Sequence, residues 1–273
     1  MKNFFTNCIF FFFLATGWAQ QDSITKIDVQ YNYVVRGNPT KQVTYKDDYN
    51  LMVLPDYKVA IYDVKVTDFI QKEEPQNDQV ILWKPKGKNL TTVFKNYDTN
   101  EMFVKDHIIL RFFVQKDSLN IFDWEIKEDT KTILGYNCQL AVTAFRGRYY
   151  EAWFTSQLLN GGPWKFGDLP GLILAVKAVD DYVSWEAVGI RIKNVSSDFP
   201  IPENPFQLDK SLSWSEFKAL YKEKAIAASK FNTKEGLAGS MITSRTGIER
   251  YIEEDDNDYT ADRQLENARK ANN

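Results

Sequence analysis

Short alternating runs of β-branched and aromatic residues, turn residues between them, and one helical stretch near the end predict a mainly β chain. The expected architecture is a single large curved antiparallel sheet, an open half-barrel-like meander, with a C-terminal helix. Aromatic content supports it: the 273 residues include 19 Phe, 14 Tyr and 7 Trp, side chains suited to a pleated, half-buried surface.

Ile27, Val29, Tyr31, Tyr33 and Val35 alternate with Asp28, Gln30 and Asn32, a period of two that predicts a strand with one wet face. Shorter runs predict strands at 51–54, 57–62, 80–83, 91–94, 102–104, 108–114 and 121–126, each bounded by Pro, Gly, Asn or Asp. A hairpin follows, with Cys138, Leu140, Val142 and Ala144 on one arm, a turn at Arg146-Gly147-Arg148, and a return through 149–155. Strands at 172–179 and 182–192, joined by Asp180-Asp181, bring the count to roughly ten. Pro200, Pro202 and Pro205 then make an extended connector. Ser213 with Glu216 forms a capping box, and Phe217, Leu220, Tyr221 and Ala225 fall at helical spacing through Lys230.

Lys2 precedes the run Phe10 to Leu14, and Gly17 and Ala19 suit a cleavage site before Gln20. This is the pattern of a secretory signal peptide, too short to cross a bilayer, and no later segment is long and apolar enough to do so. The expected chain is therefore exported, to the periplasm, the outer-membrane surface or the medium, with no transmembrane segment. Four regions are expected: a signal peptide at 1–19, an antiparallel β domain at 20–195, a Pro-rich connector and helix packing on the sheet at 196–232, and a polar, partly disordered tail at 233–273.

Loss of the leader removes Cys8 and leaves Cys138 without a disulfide partner, so stability must come from a hydrophobic core. Lys2 is the leader's only charge; the remainder has one basic residue fewer than the chain's 34, against 37 acidic. That balance argues against nucleic acid as a partner. His107 and Cys138 are too few nitrogen and sulfur ligands for zinc. No nucleophile elbow or phosphate-cradling glycine loop is present. The acids at 253–258 lack the glycine and terminal glutamate of a calcium loop. No cofactor, metal ligand or catalytic residue is assigned. The acids Glu125, Glu151, Asp168, Asp180, Asp181 and Glu186 keep carboxylate-pair chemistry open as the weakest reading.

The densest information lies at 161–174, Gly-Gly-Pro-Trp-Lys-Phe-Gly-Asp-Leu-Pro-Gly-Leu-Ile-Leu. Alternating fixed-φ and φ-permissive residues write one backbone path. Together with Lys131, Ile133-Leu134-Gly135-Tyr136, Cys138, Ala141, Phe145-Arg146-Gly147-Arg148 and Ala152-Trp153-Phe154-Thr155, this stretch resembles the GLPGLI family of exported Bacteroidota proteins. Asp168 departs from the pattern by standing where the motif has its first glycine. The resemblance implies an envelope location, a β-rich fold and an association with outer-membrane transport systems; it implies no reaction.

The expected function is non-catalytic binding or carriage of an apolar or amphipathic ligand such as a lipid. Trp153, Gly162, Pro163, Trp164, Lys165, Phe166, Leu169, Pro170, Gly171 and Leu172 would rim the mouth of the sheet, with Lys165 and Arg148 meeting an anionic head group. The alternatives are a module docking onto an outer-membrane protein and a carboxylate-dependent carbohydrate-active enzyme.

Overall fold

The computed structural model describes residues 23–36, 44–64, 91–108, 111–206, 210–232 and 248–249. The expected signal peptide, the strand expected at 80–83 and most of the expected tail lie outside them. The strands are β1 (Ser23–Arg36), β2 (Thr44–Leu54), β3 (Val59–Val64), β4 (Val93–Asn96), β5 (Glu101–Ile108), β6 (Arg111–Ser118), β7 (Glu125–Ile133), β8 (Tyr136–Phe145), β9 (Arg148–Thr155), β10 (Leu172–Ala178), β11 (Val183–Ser196) and β12 (Ser211–Ser213), followed by helix α1 (Trp214–Asn232). They form one twelve-stranded sheet in the order β12-β6-β5-β4-β3-β2-β1-β11-β10-β9-β8-β7. Every pairing is antiparallel except β12 on β6. The predicted fold class is the observed one.

Two meanders meet at β1, which pairs with β2 on one side and β11 on the other, Ile27 facing Val53 and Ile192. The alternation read in the sequence sets its faces: Ile27, Val29 and Tyr31 are buried in the main core, which gathers inward residues from β1–β5 and β8–β11. Tyr31 Oη donates to the Ile173 carbonyl at 2.6 Å, and the Trp185 indole N–H donates to Tyr62 Oη at 3.0 Å. Tyr62 stacks on Tyr49 with ring centroids 4.8 Å apart. The opposite face carries a smaller cluster of Ile24, Leu54, Val59, Phe94 and Phe103, against which Phe199 and Phe206 of the connector pack.

The capping box forms at α1, the Glu216 N–H donating to Ser213 Oγ and the Ser213 N–H donating to Glu216 Oε2 at 2.8 Å. Phe217 is buried and meets Phe113 of β6 edge-on. Among the described residues no helix is long and apolar enough to cross a membrane.

The sheet departs from the sequence reading at its margins. The apolar run 108–114 divides between β5 and β6, since Ile108 pairs with Arg111 across the hairpin. The strand expected at 121–126 starts only at Glu125 and runs to Ile133 as the charged edge strand β7, nearly all of it exposed or half-buried. An edge strand has no second neighbour to bury it, and charge there discourages pairing with other chains.

Candidate functional site

The segment 161–172 leaves β9, crosses the inner face of the sheet and enters β10. Gly161 bridges to Leu172, and the Ile173 N–H donates to the Gly161 carbonyl at 2.9 Å. A turn closes with the Phe166 N–H on the Pro163 carbonyl at 3.0 Å, and the Gly171 N–H returns to the Leu169 carbonyl at 2.7 Å. Trp164, Asp168 and Gly171 all adopt positive φ. Asp168, standing where the GLPGLI motif has glycine, has φ +65; this is the left-handed region, which aspartate enters more readily than most residues.

Trp164, Lys165, Phe166, Leu169 and Leu172, expected at the rim of the sheet, are buried. Trp164 stacks on Trp185, and Phe166 lies among Phe122, Tyr150, Trp164 and Trp185 with centroids 5.1–5.3 Å away. Gly162 and Pro163 are buried too, while Pro170 is exposed. The loop thus fills the inner face with its own aromatic rings. Packing of this kind is core, not an open apolar chamber.

Two buried lysines anchor the segment, Lys165 within it and Lys95 of β4 against it. Lys165 Nζ donates to both oxygens of Glu249 at 2.7 Å and to Gln115 Oε1 at 2.8 Å. Arg146 joins Glu249 and, at 2.5 Å, Asp117, and its guanidinium lies 3.7 Å from the Trp214 ring centre. Tyr150 Oη donates to the Ile248 carbonyl at 2.7 Å. Two residues from the region expected to be a polar tail therefore sit in the interior. Burial depresses the Lys165 pKa, with Glu249 opposing the shift.

Lys95 of β4 donates to the carbonyls of Gly162 and Phe166 at 3.0 and 2.5 Å. Burial pulls its ammonium from an ordinary 10.5 down to about 7. The folded chain holds this proton less tightly than the unfolded chain, so Lys95 contributes stability that is present above its unfolded value and lost as pH falls through about 7. Burial raises the phenols of Tyr31, Tyr49, Tyr62, Tyr97 and Tyr221, and a raised acid contributes stability that is lost above its unfolded pKa near 10. Urea midpoints should accordingly climb from pH 7 to about 10 and fall beyond it. The Lys95→Met variant should flatten the climbing limb.

Arg148 is buried, ion-paired with Asp180 and stacked over Tyr182 at 4.1 Å. Both cations expected to meet a head group are ion-paired within the chain, Arg148 with Asp180 and Lys165 with Glu249. His107 is exposed beside Asp106. Cys138 is a buried free thiol whose pKa burial raises, which disfavours the reactive thiolate. Among the described residues no cluster of His, Cys, Asp and Glu could hold a metal ion.

The outward face of β7–β9 is open. Tyr149, Glu151 and Trp153 alternate outward along β9 against inward Tyr150, Ala152 and Phe154. Tyr149 is 70% exposed. Glu125 and Glu151 both face Val142 from flanking strands, their backbones roughly 10 Å apart by strand spacing. Tyr149, Glu151, Glu125 and Val142, with Asp123, Trp124, Thr143, Ala144, Tyr150 and Val179, line a groove of about 620 Å³, and Trp153 lies outside it. Trp153 carries Lys131 Nζ 4.1 Å from its ring centre. Glu125 pairs with Lys127 in water, an environment for an acceptor of hydroxyl groups and not for the desolvated acid that glycoside cleavage requires. Sequence reading singled out Trp153 and both glutamates but not Tyr149; strand parity on β9 was the signal that joins them.

A family profile described as N-glycanase peptide, N-terminal domain, matches residues 43–212. No curated protein matches the chain. Among solved structures, PNGF-II in P21 and C2 space groups is similar at 17% and 16% identity, each with a TM-score of 0.47 over 72% of this chain. An uncharacterized conserved protein from Thermus thermophilus is similar at 8% identity and a TM-score of 0.35, over 69% of this chain and 90% of that one. The chain spans about a third of the length of the PNGF-II chains, 33% and 32%. The profile covers well over half of the sequence, and the chain accordingly belongs to the N-glycanase peptide, N-terminal domain family.

Proposed function

We propose that this chain is an exported, non-catalytic module of the GLPGLI type that holds a protein-linked glycan on the outer face of β9. The reading is carried by the outward row Tyr149, Glu151, Trp153. Rings at positions i and i+4 of a strand lie about 13 Å apart, far enough to stack under separate sugar units. Glu151 lies between them and Glu125 beside it, where carboxylates accept hydrogen bonds from sugar hydroxyls. The N-glycanase family name favours the same ligand class. The GLPGLI assignment is supported by positive φ at Gly135, Gly147, Asp168 and Gly171, since a backbone path of this kind explains why a motif would keep glycine there. Lipid carriage has less support, because Trp164, Phe166 and Leu169 stand where an acyl chain would lie. Docking to an outer-membrane partner has one supporting feature, the half-exposed Ile126 and Leu134 on the β7 side.

Calorimetric titration with an N-linked glycopeptide tests the reading. Tyr149→Ala and Trp153→Ala should each weaken binding about fivefold or more, as expected for loss of a stacking ring worth about 1 kcal/mol, with the melting temperature nearly unchanged for Tyr149→Ala, which is 70% exposed, and lowered for Trp153→Ala, which also packs against the core. Absence of glycopeptide binding to the parent chain, or binding by the two variants as tight as the parent's, would overturn it.

A further inference from the structure

Beneath the motif loop lies a second, much smaller cavity of about 80 Å³, lined by Lys95, Tyr97, Asn100, Leu119, Asn120, Asn160, Gly167 and Asp168. Most of its lining residues carry polar side chains. The Tyr97 hydroxyl is buried and meets no hydrogen-bond partner among the described residues, and a buried hydroxyl left unpaired is costly. Lys95 uses two N–H groups on the carbonyls of Gly162 and Phe166; a protonated lysine has a third. Asn100, Asn120 and Asn160 line the same cavity.

We propose that this cavity is a binding site for a small monoanion, a halide or a formate-sized carboxylate, held by the third N–H of Lys95 and the hydroxyl of Tyr97. The volume suits such a guest, since one water needs only about 10–15 Å³ of comparable space. Charge suits it as well: among the described residues the buried ammonium is bound only to carbonyl oxygens, and an anion supplies the counter-charge they lack. Asp168 is the one acid on the cavity wall among the described residues, and burial raises its carboxyl pKa; its charge, when ionised, opposes the guest. Because the anion favours the protonated amine, binding takes up a proton as pH rises past the free lysine's value near 7. Affinity should then fall about tenfold per pH unit on the alkaline side.

The bound anion would join Tyr97 to Lys95, whose ammonium already holds the loop carbonyls of Gly162 and Phe166. Such a site adds to the stability of the loop and is independent of any glycan on the outer face.

The test is thermal unfolding of the full chain in sodium chloride, sodium formate and sodium gluconate at matched ionic strength, the bulky gluconate serving as the reference anion. Chloride or formate should raise the melting temperature saturably at pH 6.5, and the rise should vanish by pH 9. Chloride acting as well as formate identifies a free halide site; formate acting alone identifies a carboxylate site. Lys95→Met removes two loop hydrogen bonds and is a poor probe, so Tyr97→Phe is the deciding variant. In gluconate it should be as stable as the parent or more so, because an unpaired buried hydroxyl is gone. In chloride or formate its apparent affinity should fall about tenfold, the effect of losing one hydrogen bond to a charged group. Asp168→Asn should tighten binding severalfold. A response no larger than in gluconate, or one identical in Tyr97→Phe, would overturn the proposal.

Discussion

Gly171→Ala should destabilise the fold by roughly 4 kcal/mol or more, enough to leave most of the chain unfolded or insoluble. The motif glycine has φ +151, and a methyl group there would overlap the Thr155 carbonyl, lying 2.6 Å from its carbon and 2.9 Å from Ser156 Cα. Those atoms are backbone at the end of β9, hydrogen-bonded to β10 through Thr155 and Leu172, and cannot swing aside. The loop would have to leave the inner face, carrying Leu169 and Leu172 with it. Gly135→Ala is the control: φ is +84, yet nothing lies within 4 Å of the added carbon. It should cost only about 1 kcal/mol, the penalty of left-handed backbone alone. Urea denaturation of the two variants separates steric overlap from conformational preference.

Glu249→Ala should cost about 3–5 kcal/mol. The substitution leaves Lys165, with no exposed side-chain surface, and Arg146 without the carboxylate they share. Arg146 retains Asp117; Lys165 retains only the neutral Gln115 oxygen among the hydrogen bonds described. Removing both charges is a different experiment. Lys165→Met combined with Glu249→Leu should recover most of the loss, because an apolar pair of similar volume avoids desolvating two ions. Denaturation midpoints of the two single variants and the double variant form the cycle. Additive losses would mean that the two residues act separately, which a contact of 2.7 Å makes untenable.

The sheet was legible wherever one face is wet and the other dry. β1 shows this most clearly, its Ile27, Val29 and Tyr31 falling to one side by a period of two. The loop was legible as a fixed path, because Pro and Gly constrain φ whatever surrounds them. Its destination was not, since Trp164 and Phe166 read alike as a rim or as a core plug until the opposing Trp185 and Tyr150 are in place. β12 is three residues of Ser-Leu-Ser, too short for any periodicity. Nothing local in the sequence marks Lys95, Lys165 and Glu249 as buried, and only contacts spanning 67 to 84 positions bury them. Tyr97 gives no local sign that its hydroxyl lacks a mate.

The middle of the sheet is stitched from residues far apart in the chain, Ser23 lying opposite Ser196. Each meander can zip from its own hairpins, but the seam joining them must wait until nearly two hundred residues are available, and closing so wide a loop is entropically slow. Until then the central strand has only one neighbour, and the half-built sheet shows an unprotected border. A polypeptide with this wiring reaches its final shape late, after most of its length has become available to fold.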